Sequence, residues 1–314
     1  MWKYRLYFLV GAACLVQACL LVIPLFVASA LGEDEALAAF LTTIVCAALI
    51  GGGLFAGYRG IATTRTVRLT LLFPFMSFFA MALISSLPFY ILHPLDGLLT
   101  AVFESVSFMS TNGGSAYVAS ESQALNAWRI VLAWEGGYLF IVYMLVILRT
   151  IKSGAAQLHI SPLDHGDSIR NYNRLIDTAR LVAPYYFGMS ALFFVVFSVL
   201  GHSFSEAVTL MVASVSLTGF PYMDTLLVSP NTQAAFAVCA LLAALNPDMI
   251  FSHSHSGKLA IWYDPESRHF IGFMIVVGVV ALLGMAVRGV NFDLLDTAFA
   301  VVSLATTVGT VPPG

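Results

Sequence analysis

Long runs of apolar residues alternate with short polar or charged stretches along the whole chain. Each run holds about 20 apolar residues, the length that an α-helix needs to cross the hydrocarbon core of a bilayer. The seven runs of this length cover approximately residues 6–31, 36–58, 69–92, 127–149, 181–200, 232–252 and 269–288. The pattern therefore predicts an all-α polytopic membrane protein.

Three further apolar segments are too short or too interrupted to span, at about 96–109, 203–217 and 292–306. Each follows a spanning run and ends in Ser, Thr and Gly, which is typical of a re-entrant helix that returns as irregular backbone. Irregular backbone at membrane depth is tolerated only where protein buries it or water wets it. The three segments therefore predict a shared aqueous cavity.

The order of these segments repeats along the chain. A spanning helix, a short helix ending in a glycine turn and a second spanning helix follow one another. We divide the chain into two N-terminal transmembrane helices (1–65), a first pore repeat (66–152), a cytoplasmic linker with a second repeat (153–258) and an incomplete third repeat (259–314).

Charge is scarce and unevenly placed. Only 10% of the residues are charged, against about 25% in soluble domains, so lipid is the natural solvent for the chain. The net charge of −3 and the lack of a long basic run argue against a nucleic-acid partner. With the N-terminus in the cytoplasm, twelve of the 14 Lys and Arg lie on the cytoplasmic side, provided that the short segments enter from the outside.

The chemistry of the three turns is that of a cation filter. Such a filter replaces the hydration shell of an ion with oxygens, and backbone carbonyls supply them where glycine allows positive φ. The negative end of each preceding helix dipole also favours a cation. The predicted ion-binding residues are Ser110, Thr111, Asn112 and Gly113 in the first turn, Leu217, Thr218 and Gly219 in the second, and Thr307, Val308 and Gly309 in the third.

Other polar residues leave alternatives open. Glu104 either holds a cation or braces the first turn from behind, and we favour bracing. Glu135 is either a second cation or proton site, or an acid that must be neutral or paired. His253 and His255 are interpreted as interfacial residues rather than as a metal site with Asp248. The segment 246–248 (Asn-Pro-Asp) kinks its helix and is a candidate gate element.

Several segments resemble the TrkH type of the Trk/Ktr/HKT potassium transporter superfamily, and together they cover nearly the whole chain. The segments that carry the resemblance are 103–107 (Phe-Glu-Ser-Val-Ser), 134–137 (Trp-Glu-Gly-Gly), 201–204 (Gly-His-Ser-Phe), 256–258 (Ser-Gly-Lys), 262–266 (Trp-Tyr-Asp-Pro-Glu), Arg268, 270–272 (Phe-Ile-Gly), 298–303 (Ala-Phe-Ala-Val-Val-Ser) and 305–307 (Ala-Thr-Thr).

The resemblance implies repeated units of helix, pore helix, filter loop and helix around a pseudo-symmetric pore, preceded by two extra N-terminal helices. It implies one filter glycine per repeat, at Gly113, Gly219 and Gly309. It also implies inward movement of K⁺, without a cofactor, across a bacterial inner membrane. The partners it implies are the lipid bilayer, a second copy in a homodimer and a cytosolic nucleotide-binding regulatory subunit.

The chain departs from the family pattern at several points. The first turn has Asn112 before its glycine where the family has threonine, Phe108 stands where glycine is favoured, and Glu135 stands where an apolar or aromatic residue is usual. The second helix of the third repeat and the entire fourth repeat are missing. We therefore expect a pore-forming subunit of a potassium uptake transporter, with a partner as one possible source of the fourth repeat. The alternative is a truncated, non-conducting or regulatory relative that keeps the fold and association surface but does not transport.

Overall fold

The computed structural model describes residues 2–60, 67–117, 122–157, 170–245, 265–288 and 294–310. Within these ranges the chain is helical and contains no strand. The α-helices are α1 (Trp2–Leu20), α2 (Val22–Leu31), α3 (Asp34–Gly57), α4 (Val67–Ser85), α5 (Leu87–Leu92), α6 (Leu98–Met109), α7 (Gln123–Gln157), α8 (Arg170–Val199), α9 (Phe204–Ser216), α10 (Met223–Leu226), α11 (Pro230–Ala244), α12 (Pro265–Arg288) and α13 (Leu294–Ala305), and a 3₁₀ turn covers Pro94–Asp96.

Six helical segments are long and apolar enough to cross a membrane, and they confirm six of the seven predicted spanning runs. They are Trp2–Leu31, Asp34–Gly57, Arg68–Leu92, Gln123–Leu148, Leu175–Val199 and Ser267–Val287. The seventh predicted run, 232–252, is helical over Pro230–Ala244, and its part from residue 246 onward lies outside the described residues.

The three short segments form α6, α9 and α13, which have 12, 13 and 12 residues. At a rise of about 1.5 Å per residue each is about 18–20 Å long, well below the ~30 Å of the hydrocarbon core. A capping box begins α9, in which the Ser203 backbone N–H donates to the Glu206 carboxylate at 2.9 Å. This hydrogen bond lowers the pKa of Glu206 below its ordinary value.

The described chain forms two compact units. Unit 1 comprises Met1–Ser110 and Ser115–Tyr185, and unit 2 comprises Thr111–Gly114 and Tyr186–Gly314. In unit 1, α1 and α3 meet at two glycines, since a Cβ at Gly11 would lie 2.8 Å from the Gly51 carbonyl oxygen. Small residues at such a crossing let two membrane helices pack closely.

Helices α4, α6 and α7 of unit 1 are joined by hydrogen bonds to main-chain carbonyls. The Ser105 hydroxyl donates to the Ala82 carbonyl at 2.7 Å, and the Trp128 indole N–H donates to the Ser85 carbonyl at 3.1 Å. Gly136 brings α7 against the end of α6, because a Cβ there would overlap the Met109 carbonyl oxygen.

Aromatic side chains form much of the core of unit 2. Phe236 on α11 lies between Phe299 on α13 and Phe197 on α8, with ring centroids 5.9 and 6.5 Å apart. All three rings are buried. The His202 imidazole also joins the start of α9 to α11 through a 2.9 Å hydrogen bond with the Thr232 hydroxyl. These contacts fix the helices that carry the second and third turns.

Candidate ion-coordinating turns

Each of the three short helices ends in a turn with the same backbone feature. A residue with a Cβ adopts a left-handed conformation two positions before the glycine, with φ of 61° at Thr111, 56° at Leu217 and 67° at Thr307. Gly113 and Gly309 are also left-handed, at 74° and 73°, whereas Gly219 has no positive φ. The predicted need for positive φ therefore holds at two of the three glycines and extends to residues that the sequence did not indicate.

Main-chain hydrogen bonds close the second and third turns onto their helices. The Thr218 N–H donates to the Ala213 carbonyl at 3.1 Å, and the Gly309 N–H donates to the Ser303 carbonyl at 3.1 Å. Bonds of this kind, made after a left-handed residue, are the usual way to satisfy carbonyls at a helix C-terminus. They fix the path of the backbone as it leaves α9 and α13.

The three turns lie in direct main-chain contact within unit 2. A Cβ added at Gly113 would overlap the Gly219 carbonyl oxygen, and one added at Gly219 would lie 2.5 Å from the Val308 carbonyl oxygen. Real Cβ atoms do not approach oxygen so closely. Glycine is therefore required at Gly219 for lack of space and not for backbone freedom, whereas Gly113 needs glycine for both reasons.

Hydroxyl groups beside the second and third turns bond to the protein itself. The Thr218 hydroxyl lies 2.8 Å from that of Ser216, which donates to the Val212 carbonyl at 2.7 Å. The Ser303 and Thr310 hydroxyls are 3.1 Å apart. These contacts hold the hydroxyls against the protein, where they brace the loop.

The predicted ion-binding residues differ in their surroundings. Buried members are Gly113, Thr218, Gly219 and Val308, whereas Asn112, Thr307 and Gly309 are exposed and Thr111 and Leu217 are half-buried. Ser110 belongs to unit 1, where its hydroxyl donates to the Ser107 carbonyl at 3.2 Å. Gly113, Gly219 and Val308 are thus the residues brought into contact, one from each turn.

Glu104 on α6 is fully buried and takes part in an ion pair. The Arg129 Nε donates to Glu104 Oε1 at 2.7 Å, and their side chains are 3% and 0% exposed. The Ser115 hydroxyl donates to Glu104 Oε1 at 2.7 Å and the Ala116 N–H donates to Oε2 at 2.9 Å. Both oxygens are therefore occupied by donors from the segment that follows the first turn, which agrees with bracing.

The sequence did not identify Arg129 as the partner of Glu104. Its guanidinium also donates to the Asn126 side chain at 2.6 Å and lies over the rings of Phe89 and Phe108, 5.6 and 5.8 Å from their centroids. An arginine inside an apolar run was the available signal, since such a charge faces the protein interior and needs a partner.

Glu135 on α7 is also buried, at 5% exposure. Neither of its carboxylate oxygens has a hydrogen-bond partner within the described part of the chain. The proposed metal alternative cannot be placed, because Asp248, His253 and His255 lie outside the described residues, as does the candidate gate at 246–248. Among the residues that are described, no group of three His, Cys, Asp or Glu side chains could hold a metal ion.

Comparisons with known proteins identify relatives of the chain. It is 28% identical over 327 residues to the Trk system potassium uptake protein TrkH of Escherichia coli K12, with 96% of this chain and 65% of that protein covered. It is 26% identical to the protein TrkI of Halomonas elongata, with 94% of this chain and 61% of that protein covered. The chain thus spans less than two thirds of the length of these curated relatives.

The fold matches a solved structure, the crystal structure of the potassium transporter TrkH from Vibrio parahaemolyticus. The match has a TM-score of 0.79 at 22% identity and covers 98% of this chain and 64% of that one. The predicted fold class, an all-helical membrane protein with repeated units behind two N-terminal helices, is therefore confirmed. The model of the TrkH family, described as "Cation transport protein", matches residues 38–241. Since this match covers more than half of the sequence, the chain is a multi-pass membrane protein that belongs to the TrkH family, a family of transporters and not of enzymes.

Proposed function

We propose that the chain is a pore-forming subunit of a potassium uptake transporter and that K⁺ moves inward through a filter of backbone carbonyls. The observation that carries this proposal is the main-chain contact of the three turns at Gly113, Gly219 and Val308. The names of the relatives, Trk system potassium uptake proteins, supply the choice of ion.

The chemistry of the turns suits a weakly hydrated monovalent cation. Carbonyl oxygens replace water around the ion, and no charged side chain is needed at the site itself. The helices α6, α9 and α13 each end at a turn, so the negative ends of their dipoles lie beside the ion path. The membrane potential drives entry by about 2.3 kcal/mol per charge per 100 mV.

Flux measurements on the purified chain in lipid vesicles test the proposal. We expect potassium-gradient-driven uptake of rubidium, a potassium analogue, by the wild type. Gly219→Ala should lose most of this flux, because its new methyl group would lie 2.5 Å from the Val308 carbonyl oxygen and would push that carbonyl away. Gly53→Ala is the matched control, since a Cβ there meets nothing within 4 Å. Equal flux in both variants would contradict the role of the second turn.

A variant at Gly309 distinguishes the effect of backbone strain in a turn from the effect of a steric clash. Gly309 has φ of 73° but open space around its Cβ position. Gly309→Ala therefore adds left-handed strain of about 1–2 kcal/mol without a steric contact. We expect it to reduce flux less than Gly219→Ala and to leave the chain folded in both detergent and lipid.

Absence of flux from well-folded wild-type chain would favour the alternative, a relative that keeps the fold and association surface without transport. Affinity purification after co-expression with a TrkH-type protein of full length then distinguishes the cases. Stable association would support a regulatory role or a fourth repeat supplied by a partner, and growth of a potassium-uptake-deficient bacterium on low potassium would support transport.

The placement and partners proposed for the chain follow the family resemblance. We place it in a bacterial inner membrane with the N-terminus in the cytoplasm, as a homodimer that binds a cytosolic nucleotide-binding regulatory subunit. Reporter fusions at each terminus test the orientation, and mass measurement of the detergent-extracted complex tests the copy number. A periplasmic N-terminus or a monomer would each require the corresponding part to be withdrawn.

A further inference from the structure

A cluster of buried polar side chains lies in unit 1, apart from the three turns. It is formed by Gln17 on α1, Ser85 on α4 and Glu135 on α7, with exposures of 0%, 0% and 5%. The Gln17 side-chain N–H donates to the Ser85 hydroxyl at 2.7 Å. The Gln17 side chain also lies close enough to the Glu135 carboxyl to influence its charge.

The surroundings of this cluster are apolar. Each polar residue has an apolar residue four positions away on the same helix, namely Ala13 for Gln17, Met81 for Ser85 and Leu139 for Glu135. These apolar residues pack together with Ala82 and Met109 in a buried hydrophobic cluster. The three polar residues therefore lie about one helical turn from this hydrophobic cluster. Transfer of an ionised carboxylate to such a site is far more costly than transfer of a neutral acid.

The cluster contains more hydrogen-bond acceptors than donors. Three buried oxygens have no donor within the described ranges, namely Gln17 Oε1 and both carboxylate oxygens of Glu135. The buried ion pair between Arg129 and Glu104 does not involve Glu135. A single proton on the carboxyl would turn one acceptor into a donor and satisfy a second.

The C-terminal end of α6 adds further negative charge near Glu135. Gly136, the residue after Glu135, lies against the Met109 carbonyl, which belongs to the last turn of α6. The C-terminal end of a helix carries partial negative charge and disfavours an anion beside it. A negative Glu135 would therefore lie one residue from the negative end of a helix as well as next to an apolar layer.

Within the described part of the chain, the titratable groups nearest to the cluster provide no positive charge to offset an ionised Glu135. On α7 itself Tyr143 interacts with Glu135, and its hydroxyl lies 2.8 Å from that of Ser77 on α4. On α1 the titratable neighbour of Gln17 is the buried thiol of Cys14. On α6 the acid is Glu104, whose charge is already matched by Arg129.

We propose that Glu135 is a proton-binding site, with the proton taken from solvent and shared between the carboxyl and Gln17 Oε1. The carboxyl is thus a neutral acid next to the end of the helix that leads into the first turn. A metal ion fits the cluster less well, since Mg²⁺ and Ca²⁺ take six or more oxygens and only three are without donors here. The site belongs to unit 1 and does not depend on the chain conducting ions.

Infrared spectroscopy of the full chain in lipid bilayers tests the proposal directly. A protonated carboxylic acid has a carbonyl stretching band that a carboxylate lacks. We expect this band at neutral pH, its loss in alkaline buffer, and its absence from Glu135→Gln at neutral pH. Glu35→Gln, which changes an exposed acid, is the matched control and should keep the band.

A second variant keeps the test informative if Glu135→Gln does not fold. Gln17→Leu removes the partner of the acid but not the acid, so the band should persist and move to higher frequency. Absence of a Glu135-dependent band from the wild type would overturn the proposal. Loss of the band on adding Na⁺ or K⁺ at constant pH would also overturn it, because the cluster would then be a cation site.

Discussion

Replacing Arg129 with methionine would remove the positive partner of Glu104, a carboxylate with no exposed surface. The change keeps the length of the side chain and its packing on the rings of Phe89 and Phe108. It leaves Glu104 with the donors of Ser115 and Ala116 but without a compensating charge. Breaking a buried pair in this way costs about 3–5 kcal/mol, and the lost cation–π contacts add about 1 kcal/mol.

The double variant Glu104→Gln with Arg129→Met determines whether the ion pair itself is responsible. A neutral amide still accepts from the Ala116 N–H, so no charge remains buried and unpaired. We expect each single variant to lose about 3 kcal/mol or more, and the double variant to lose no more than either single one. The loss of stability in the double variant would then be smaller than the sum of the two single losses by about 3 kcal/mol, which is the coupling energy between the two sites.

Unfolding in mixed micelles of mild detergent and increasing dodecyl sulfate measures these free energies for the wild type, both single variants and the double variant. Arg59→Met is the control, because Arg59 is exposed at the end of α3 and should change stability by less than about 0.5 kcal/mol. Additive losses in the double variant would refute the reasoning, since they would mean that Glu104 and Arg129 contribute separately.

Other predictions concern contacts further from the turns. Glu33→Gln should cost about 1 kcal/mol in the same unfolding assay, since the Glu33 carboxylate accepts from the first N–H groups of α7, one of them at 2.9 Å. Gly51→Ala should cost about 1–3 kcal/mol, because its Cβ would lie 2.9 Å from a main-chain oxygen of α1, and Gly52→Ala, with open space, should cost little. The pKa of Glu206 is lowered by the N–H of Ser203, so the folded state should lose stability as the pH falls below 4.5, and Glu206→Gln should remove this dependence while keeping the cap.

The spanning helices could be predicted from the sequence because a bilayer imposes one simple requirement. A segment such as 69–92 must be apolar throughout to cross lipid, and Arg68–Leu92 is indeed one continuous candidate span despite the proline at position 74. The short helices were predictable for the complementary reason, that 12 or 13 residues cannot cross.

Side-chain partners were not predictable in the same way. Glu104 stood out as an acid in an apolar helix, yet its partner Arg129 lies 25 positions away on another helix. Counting charges along the sequence indicates the side of the membrane on which they lie and says nothing about which residues pair. Which residues meet across two helices depends on the rotation of each helix, and the close contact at Gly136 that sets the position of α7 against α6 appears only in three dimensions.

The turns show most clearly what the sequence pattern left out. Glycine was the expected carrier of positive φ, and Gly113 and Gly309 do have it. The left-handed position that all three turns share is nevertheless the one at Thr111, Leu217 and Thr307, residue types for which this conformation costs about 1–2 kcal/mol each. Three different sequences adopt the same unfavourable backbone at the same place after a short helix. The shared feature is therefore the path of the main chain and not the identity of the side chains, which is what a site built from carbonyl oxygens requires.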